Sequence, residues 1–299
     1  MGAADRPAPA PVSAPAPVSA PAPVSAPAPV SAPAPAPAPV SGPADAGAAT
    51  QVFVDDLETC ELSPSDAHHL ARVLRLRSGE KVVASDGKGS WRTCLYSGGD
   101  GVLEPAAHIE SEPRRVPEVS IAFAPAKGDR PEWVVQKLVE IGVDRLLVLR
   151  AARSIVVWDG LRADHALERL SKIAREAASQ SRRAWIPSIE GVFSIEDLAD
   201  GATNSTPTAT PTGRLTLAER GGGLTLAERG GRSLEDLVRA DTTVLELPIC
   251  VGPEGGWTEA ELEHASVTVG LGDGVLRSET AAVVAGALAC ALRDRGVAL

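Results

Sequence analysis

Two glycine-rich stretches near the C-terminus decide the fold of this chain: Val251-Gly-Pro-Glu-Gly-Gly-Trp257 and Gly270-Leu-Gly-Asp-Gly-Val-Leu-Arg-Ser-Glu-Thr280. The first follows an apolar run from Val244 to Val251, and the second follows a shorter one from Ser266 to Leu271. Short apolar runs bounded by turn residues are typical of buried strands. Each stretch is followed by a helical pattern, so the sequence predicts two strand-loop-helix units that lie side by side.

The helices after the two loops favour a cofactor pocket. Thr258 and Glu261 form a Thr-x-x-Glu capping box, and an Ala-rich stretch runs from Thr280 to Arg293. Glycine lets the backbone approach a ligand closely, and the free N–H groups at a helix start are hydrogen-bond donors. Either loop alone could be a tight turn between strand and helix. The two together, with charged residues among the glycines, indicate a binding site.

Two familiar nucleotide-binding loops do not match. No Gly-Lys-Ser/Thr follows the glycines, which excludes a phosphate-binding P-loop. The pattern Gly-x-Gly-x-x-Gly is broken because Val275 stands where the third glycine belongs. Only 25 of the 299 residues follow Gly274, too few for the doubly wound sheet that an ordinary Rossmann-like methyltransferase builds after such a loop. The cofactor must therefore be bound in another way.

The paired motifs carry a family resemblance. Gly252-Pro-Glu-Gly-Gly256 followed by Gly272-Asp-Gly-Val-Leu-Arg-Ser-Glu-Thr-Ala281 closely resembles the motifs of the RsmE family, the 16S ribosomal RNA uracil-N3 methyltransferases of the SPOUT superfamily. Five further segments look like the family's remaining blocks, in the family's order: 68–79, 86–89, 127–130, 136–143 and 176–187. The resemblance runs from about residue 50 to the C-terminus.

The resemblance implies an α/β fold, with a C-terminal SPOUT-type trefoil-knot methyltransferase domain behind a small PUA-like β-barrel that binds RNA. We expect the barrel at residues 50–113 and the methyltransferase domain at 114–299. The implied reaction is methylation of N3 of a uridine in 16S rRNA, on the assembled 30S subunit, with S-adenosyl-L-methionine as cofactor. The implied partners are the small ribosomal subunit and a second copy of the chain in a homodimer.

The same resemblance, together with the charges of the motifs, gives a set of candidate site residues. The expected cofactor-binding residues lie in the two loops: Gly252, Pro253, Glu254, Gly255, Gly256, Leu271, Gly272, Val275, Leu276 and Thr280. A carboxylate such as Glu254 or Glu279 would stabilise the sulfonium cation. Arg277 is our first candidate to stabilise the negative charge that develops on uracil. Glu279 or a water would take the N3 proton, although Glu279 could instead be a helix cap.

Basic residues predict where RNA binds. Between Arg72 and Arg92 there are six basic residues against two acidic ones, in a segment of short strands. Such a run is often only a solvated face. With the resemblance, we expect a phosphate-contact surface shared by both domains and made of Arg72, Arg75, Arg77, Lys127, Arg130, Arg153 and Arg182. Arg182 could alternatively complement a helix dipole.

Two segments depart from ordinary globular sequence. Residues 1–49 repeat Pro, Ala, Val and Ser without apolar periodicity, which predicts a disordered tail because such a segment cannot bury enough apolar surface. Residues 203–232 hold a Ser/Thr/Pro-rich linker and a duplication, in which Leu215 to Gly223 recurs almost verbatim as Leu224 to Arg232. One copy should be a strand beside the cofactor and the other an insertion. The pattern leaves open which is which, and with it the role of Glu219, Arg220, Glu228 and Arg229.

Composition limits the remaining possibilities. A net charge of −10 argues against a protein that coats nucleic acid indiscriminately. The four cysteines lack C-x-x-C spacing and the five histidines lack ligand spacing, so we expect no metal and reduced thiols in the cytoplasm. The sequence has no run of eighteen apolar residues, so we expect no membrane-spanning helix. Two other functions stay open: a ribosome-assembly factor with a vestigial pocket, and a SPOUT methyltransferase acting on a ribose 2′-hydroxyl or on transfer RNA.

Overall fold

The computed structural model describes residues 42–98, 101–199, 224–227, 231–265 and 267–295. The helices are α1 (Pro64–His68), α2 (Arg130–Ile141), α3 (Gly160–Gln180), α4 (Ile195–Ala199), α5 (Leu234–Ala240), α6 (Glu259–Glu263) and α7 (Ser278–Asp294). The strands are β1 (Thr50–Phe53), β2 (Lys81–Ser85), β3 (Ser90–Tyr96), β4 (Leu103–Pro105), β5 (Glu110–Ser111), β6 (Ser120–Phe123), β7 (Arg145–Leu149), β8 (Ser188–Phe193), β9 (Leu224–Leu226), β10 (Arg232–Ser233), β11 (Ile249–Val251) and β12 (Val267–Gly270).

The N-terminal domain is a five-stranded sheet around its own apolar core. Its strands run in the order β1-β2-β3-β4, and β5 pairs with β3. Cys60 and Cys94 meet in this core, where the Cys94 thiol donates to Cys60 Sγ over 3.6 Å. Burial, together with the neighbouring Cys60, raises the pKa of Cys94 to about 12. Both thiols are therefore protonated at neutral pH and pack as small apolar side chains.

The second sheet has seven strands, all parallel, in the order β10-β12-β9-β11-β6-β7-β8. This confirms the mainly parallel sheet that the alternation of strands and helices predicts. The prediction that the two strand-loop-helix units lie side by side is wrong, because β9 lies between β11 and β12. The strand in that position comes from the second copy of the duplicated segment, Leu224 to Leu226.

The apolar run from Val244 to Val251 is not one strand. Asp241 accepts a hydrogen bond from the Thr243 N–H and starts a short 3-10 helix, Thr242–Glu246. Pro248 has no backbone N–H to give to a sheet, so β11 begins only at Ile249. The sequence leaves open whether four charged residues of the duplicated segment belong to the site. They are Glu219 and Arg220 of the first copy and Glu228 and Arg229 of the second, and all four lie outside the described residues.

The helix from Ser278 to Asp294 confirms the predicted Ala-rich helix and shows why its side chains are small. A Cβ at Gly286 would lie 2.6 Å from Leu138 Cδ2 and 3.1 Å from Val143 Cγ2. Helices α7 and α2 can therefore pack this closely against each other only because position 286 carries no side chain.

Within the described ranges, none of the helices is both long and apolar enough to cross a membrane. The trefoil knot implied by the resemblance stays a prediction.

The two domains are joined through the end of α3. Arg182, in the left-handed conformation at φ 54°, donates to the carbonyl oxygens of Ala48 and Ala49 at 2.7 and 3.1 Å. Gln51 Nε2 donates to the Arg183 carbonyl at 2.8 Å. Residues 42–49 are therefore part of the folded domain, and Pro43–Ala46 forms a 3-10 helix. This corrects the predicted tail boundary at residue 49, while residues 1–41 lie outside the described ranges.

A buried ion network lies below this junction. Asp144, just before β7, pairs with Arg293 of α7 and, at 3.2 Å, with Arg183. It also accepts the Val119 N–H at 3.0 Å. The Arg293 side chain is 2% exposed and its Nη2 donates to the Gly142 carbonyl at 3.3 Å. This single carboxylate therefore ties the ends of α3 and α7 to the amino-terminal edge of the sheet.

Candidate active site

A cleft of about 750 Å³ opens at the carboxyl ends of β9 and β11. Ligands of open parallel sheets bind at this edge, because the loops that leave the strands converge there. The volume is within the range of sites for cofactor-sized ligands, roughly 300–1,000 Å³. Leu226 and Val251 form part of its wall, with Leu262 of α6 and Ala281 of α7. The cleft thus has an apolar body between the two glycine loops.

All five residues of the first glycine loop, Gly252 to Gly256, line the cleft. The loop is a tight turn, in which the Gly256 N–H donates to the Pro253 carbonyl at 2.9 Å. A Cβ at Gly252 would lie 2.7 Å from Cε2 of Trp257, so the indole can cover the loop only because Gly252 has no side chain. Trp257 Nε1 in turn donates to the Leu226 carbonyl at 3.0 Å, which ties the loop to β9.

The second glycine loop contributes fewer residues than predicted. Val275 and Leu276 line the cleft, with 51% and 39% of their surfaces exposed. Leu271, Gly272 and Thr280 do not line it. The wall instead includes residues that motif matching missed: Leu226, Ala227, Trp257, Leu262, Thr268, Ser278 and Ala281. Trp257, Ser278 and Ala281 could have been found, because they stand in or beside the two quoted motifs. The others are ordinary residues that only the fold brings together.

The two predicted catalytic residues face different places. Arg277 lines the cleft, and its guanidinium makes no ion pair with any residue in the described part of the chain. Glu279 does not line the cleft; its carboxylate lies 3.7 Å from Arg130 and accepts from Ser278 Oγ at 3.3 Å. Arg130 also donates to Glu254 at 2.9 Å. Arg130 therefore connects Glu254, which lines the cleft, with Glu279, which does not.

The predicted RNA-binding residues separate into two groups. Arg72, Arg75, Arg77 and Lys127 are exposed and form no ion pair within the described ranges. Three others are engaged in contacts within the protein. Arg153 donates to the carbonyls of Gly255 and Trp257 at 3.1 and 3.0 Å, Arg130 pairs with two carboxylates, and Arg182 joins the domains. Sequence spacing could not separate the groups, because the partners of these arginines lie more than a hundred residues away.

Two family models match parts of this chain. Residues 112–290 match the model of an RNA methyltransferase domain, which is more than half of the chain. The chain belongs to the RNA methyltransferase family. Residues 62–101 match the model of an RNA methyltransferase PUA domain, inside the N-terminal domain described above. Among the described residues of this methyltransferase, no three His, Cys, Asp or Glu side chains come together as a metal-ligand set.

Relatives and solved structures agree with this assignment. The methyltransferase is 35% identical to ribosomal RNA small subunit methyltransferase E of Mycobacterium bovis, over 74% of this chain and 81% of that protein. It is 30% identical to the protein of the same name from Bacillus subtilis, over 79% and 91%. A Neisseria gonorrhoeae ribosomal RNA small subunit methyltransferase E, solved bound to S-adenosyl methionine, has the same fold, with a TM-score of 0.63 and 24% sequence identity. The alignment covers 81% of this chain and 97% of that one. A probable rRNA-methyltransferase of Porphyromonas gingivalis aligns with a TM-score of 0.61, 26% identity, and 82% and 99% coverage.

Proposed function

We propose that this protein transfers a methyl group from S-adenosylmethionine to N3 of a uridine in small-subunit ribosomal RNA, on the assembled 30S subunit. The observation that carries the proposal is the cleft at the carboxyl ends of β9 and β11, closed on one side by Gly252 to Gly256. The names of the relatives support the substrate, and the sequence motifs support the position on uracil.

The residues of the cleft fit this cofactor. Leu226, Val251 and Ala281 offer apolar surface for an adenine ring, and the glycine loop offers backbone groups for its edge and for the ribose. Glu254 places a carboxylate at the cleft, where it would attract a sulfonium cation. When bound, S-adenosylmethionine supplies an electrophilic methyl group and leaves as a neutral thioether. The protein's task is therefore to hold the uracil N3 edge at the open side of the cleft and stabilise its negative charge.

Arg277 is the residue of the cleft best suited to that task. Its guanidinium is exposed, lines the cleft and is not engaged by a carboxylate in the described residues. An unpaired cation that faces the carbonyl oxygens beside N3 acts like a preorganised oxyanion donor, for which removal costs roughly 10²–10³ in kcat. We therefore expect Arg277→Gln to lower kcat by about that factor while the Kd of the cofactor changes little. Glu279, which faces Arg130, is a weaker candidate for the general base than a water held at Arg277 or Glu254.

Cofactor binding can be tested at the glycine loop. In Gly252→Ala the new methyl group would meet the Trp257 ring at 2.7 Å, so the loop or the indole must move. Gly191→Ala is a matched control in β8, because there the nearest atom, Leu167 Cδ1, is 3.9 Å away. Calorimetry with S-adenosylmethionine should show weakened binding for Gly252→Ala only. Equal affinities for both variants would place the cofactor elsewhere.

Mass mapping of small-subunit rRNA from cells with and without the protein tests the reaction itself. Loss of one N3-methyluridine is the expected result. A missing ribose methyl group, or a change in transfer RNA, would favour one of the other methyltransferase activities. Unchanged rRNA together with tight cofactor binding would favour an assembly factor with a vestigial pocket.

The homodimer and the cytoplasmic location belong to the same proposal. The resemblance to the RsmE family supports the homodimer, and Leu288 of α7, with 43% of its surface exposed, is one apolar side chain that a second copy would cover. Sedimentation equilibrium should give twice the chain mass of 30.8 kDa. A monomer at micromolar concentration would contradict this part of the proposal without affecting the reaction.

A further inference from the structure

A second, smaller cavity adjoins the cofactor cleft, between the first glycine loop and the start of α2. Its volume is about 130 Å³, the scale of a single ring system, whereas the cleft has 750 Å³. Ile155 and Val156, from the loop after β7, supply apolar surface on one side. Lys127 and Arg130 supply cationic groups on another. We call this cavity the α2 recess.

The recess and the cleft adjoin at three residues. Pro253, Glu254 and Ser278 line both cavities. A flat group in the recess and a group bound in the cleft would therefore lie against the same three residues. This is the arrangement that a transfer reaction needs, because donor and acceptor atoms must come within about 3–3.5 Å of each other.

The charges of the recess match the edge of a pyrimidine that carries N3. That edge presents one N–H between two carbonyl oxygens, and the negative charge that follows loss of the proton spreads onto those oxygens. Arg130 is held in place by Glu254 at 2.9 Å and Glu279 at 3.7 Å, so its remaining N–H groups have a fixed direction. Lys127 is exposed and free of ion pairs within the described ranges. Both cations can thus face carbonyl oxygens at the point where the two cavities meet.

We propose that the α2 recess holds the target base, turned out of the RNA, with Ile155 and Val156 on its ring, with Lys127 and Arg130 at the carbonyl oxygen inside the recess, and with the oxygen on the cleft side left to Arg277. A base inside folded RNA is inaccessible to a buried methyl donor until it is unstacked, and enzymes that act on bases provide a closely fitting pocket for it. The inference rests on the proposed function and adds the subsite for the acceptor. It also changes the predicted role of Lys127 and Arg130 from phosphate contact to base contact.

Two adjacent valines provide a matched test. Val156 is half-buried and lines the recess, whereas Val157 is 46% exposed and does not line it. Val156→Phe should fill the recess and lower the rate of methyl transfer to small subunits by about 100-fold, the cost of displacing a reacting group by an ångström or so. The Kd of S-adenosylmethionine should stay at the wild-type value. Val157→Phe should keep the wild-type rate and affinity.

The outcomes separate this inference from the proposed function. A wild-type protein that transfers no methyl group to small subunits would overturn the proposed function. An active wild type with a Val156→Phe variant equally active would overturn the recess, and so would a Val156→Phe variant that loses cofactor affinity in parallel with rate. Because Val156 also packs against the main core, Ala126→Leu fills the recess from another wall and decides the question if Val156→Phe lowers the melting temperature.

Discussion

Replacing Asp144 should destabilise the protein more than any other single charge change in the described residues. Asp144 is the shared partner of Arg183 and Arg293, and it also accepts the Val119 N–H. Its side chain is 13% exposed and that of Arg293 only 2%. Asp144→Ala would leave the largely buried Arg183 without a carboxylate, and it would leave Arg293 with only Asp294, which also pairs with Arg115 at 3.3 Å.

The magnitude follows from this burial. Breaking a buried ion pair by removing one partner costs roughly 3–5 kcal/mol, since the remaining charge stays desolvated. In a domain of this size each kcal/mol lowers the melting temperature by about 2–4 °C, so a fall of roughly 6–20 °C is expected. The pKa of Arg183 is already lowered, by burial first and by the neighbouring Arg115, even though Asp144 counteracts both. Removing Asp144 should lower it further.

The assay is urea unfolding of the full chain followed by tryptophan fluorescence. The control is Glu235→Ala, which breaks the exposed pair between Glu235 and Arg239, where both side chains are about half exposed. Exposed pairs contribute about 0–1 kcal/mol, so this variant should unfold almost like the wild type. An Asp144→Ala variant within 1 kcal/mol of that control would refute the reasoning, because the network would then carry no stability.

Three further predictions follow from particular contacts. A chain that begins at Ser41 should keep its melting temperature and activity. A chain that begins at Gln51 should have a lower melting temperature, because Arg182 loses its hydrogen bonds to the carbonyls of Ala48 and Ala49. Equal melting temperatures for the two chains would show that residues 42–49 do not contribute to the stability of the fold. Replacing Arg72, Arg75 and Arg77 with alanine should weaken binding to small subunits and reduce its salt dependence, with cofactor affinity unchanged in calorimetry; an unchanged RNA affinity would remove this segment from the interface. Burial raises the pKa of Glu190, but hydrogen bonds and charge from Arg145 outweigh it and leave the pKa lowered. The stability that Glu190 contributes should therefore be present above about pH 4.3 and be lost as the pH falls through the lowered value, and Glu190→Gln should flatten the acid limb of the urea midpoint between pH 3 and 5.

The sequence by itself determined the local elements and the class of the site. The capping box at Thr258 and Glu261 forms as predicted, with Thr258 Oγ1 accepting from the Glu261 N–H at 3.3 Å. Hydrophobic patterns predict a helix over 131–141 and strands over 119–124 and 145–150, and the structure has these elements at Arg130–Ile141, Ser120–Phe123 and Arg145–Leu149. These features depend on hydrophobic periodicity and on residues a few positions apart, which are local in the chain.

Only the tertiary structure decided which residues meet. The two nearly identical copies of Leu-Thr-Leu-Ala-Glu-Arg-Gly-Gly leave their roles open in the sequence, whereas the structure has Leu224–Leu226 of the second copy as the strand between β11 and β12. The pairing of Arg130 with Glu254 and Glu279 joins residues 124 positions apart or more, and the clamp of Arg182 on Ala48 spans 134. Charges that look equivalent in sequence therefore have different partners, because the attraction between them depends on distance in space and on the dielectric around them, and both are set by the packing of the whole chain.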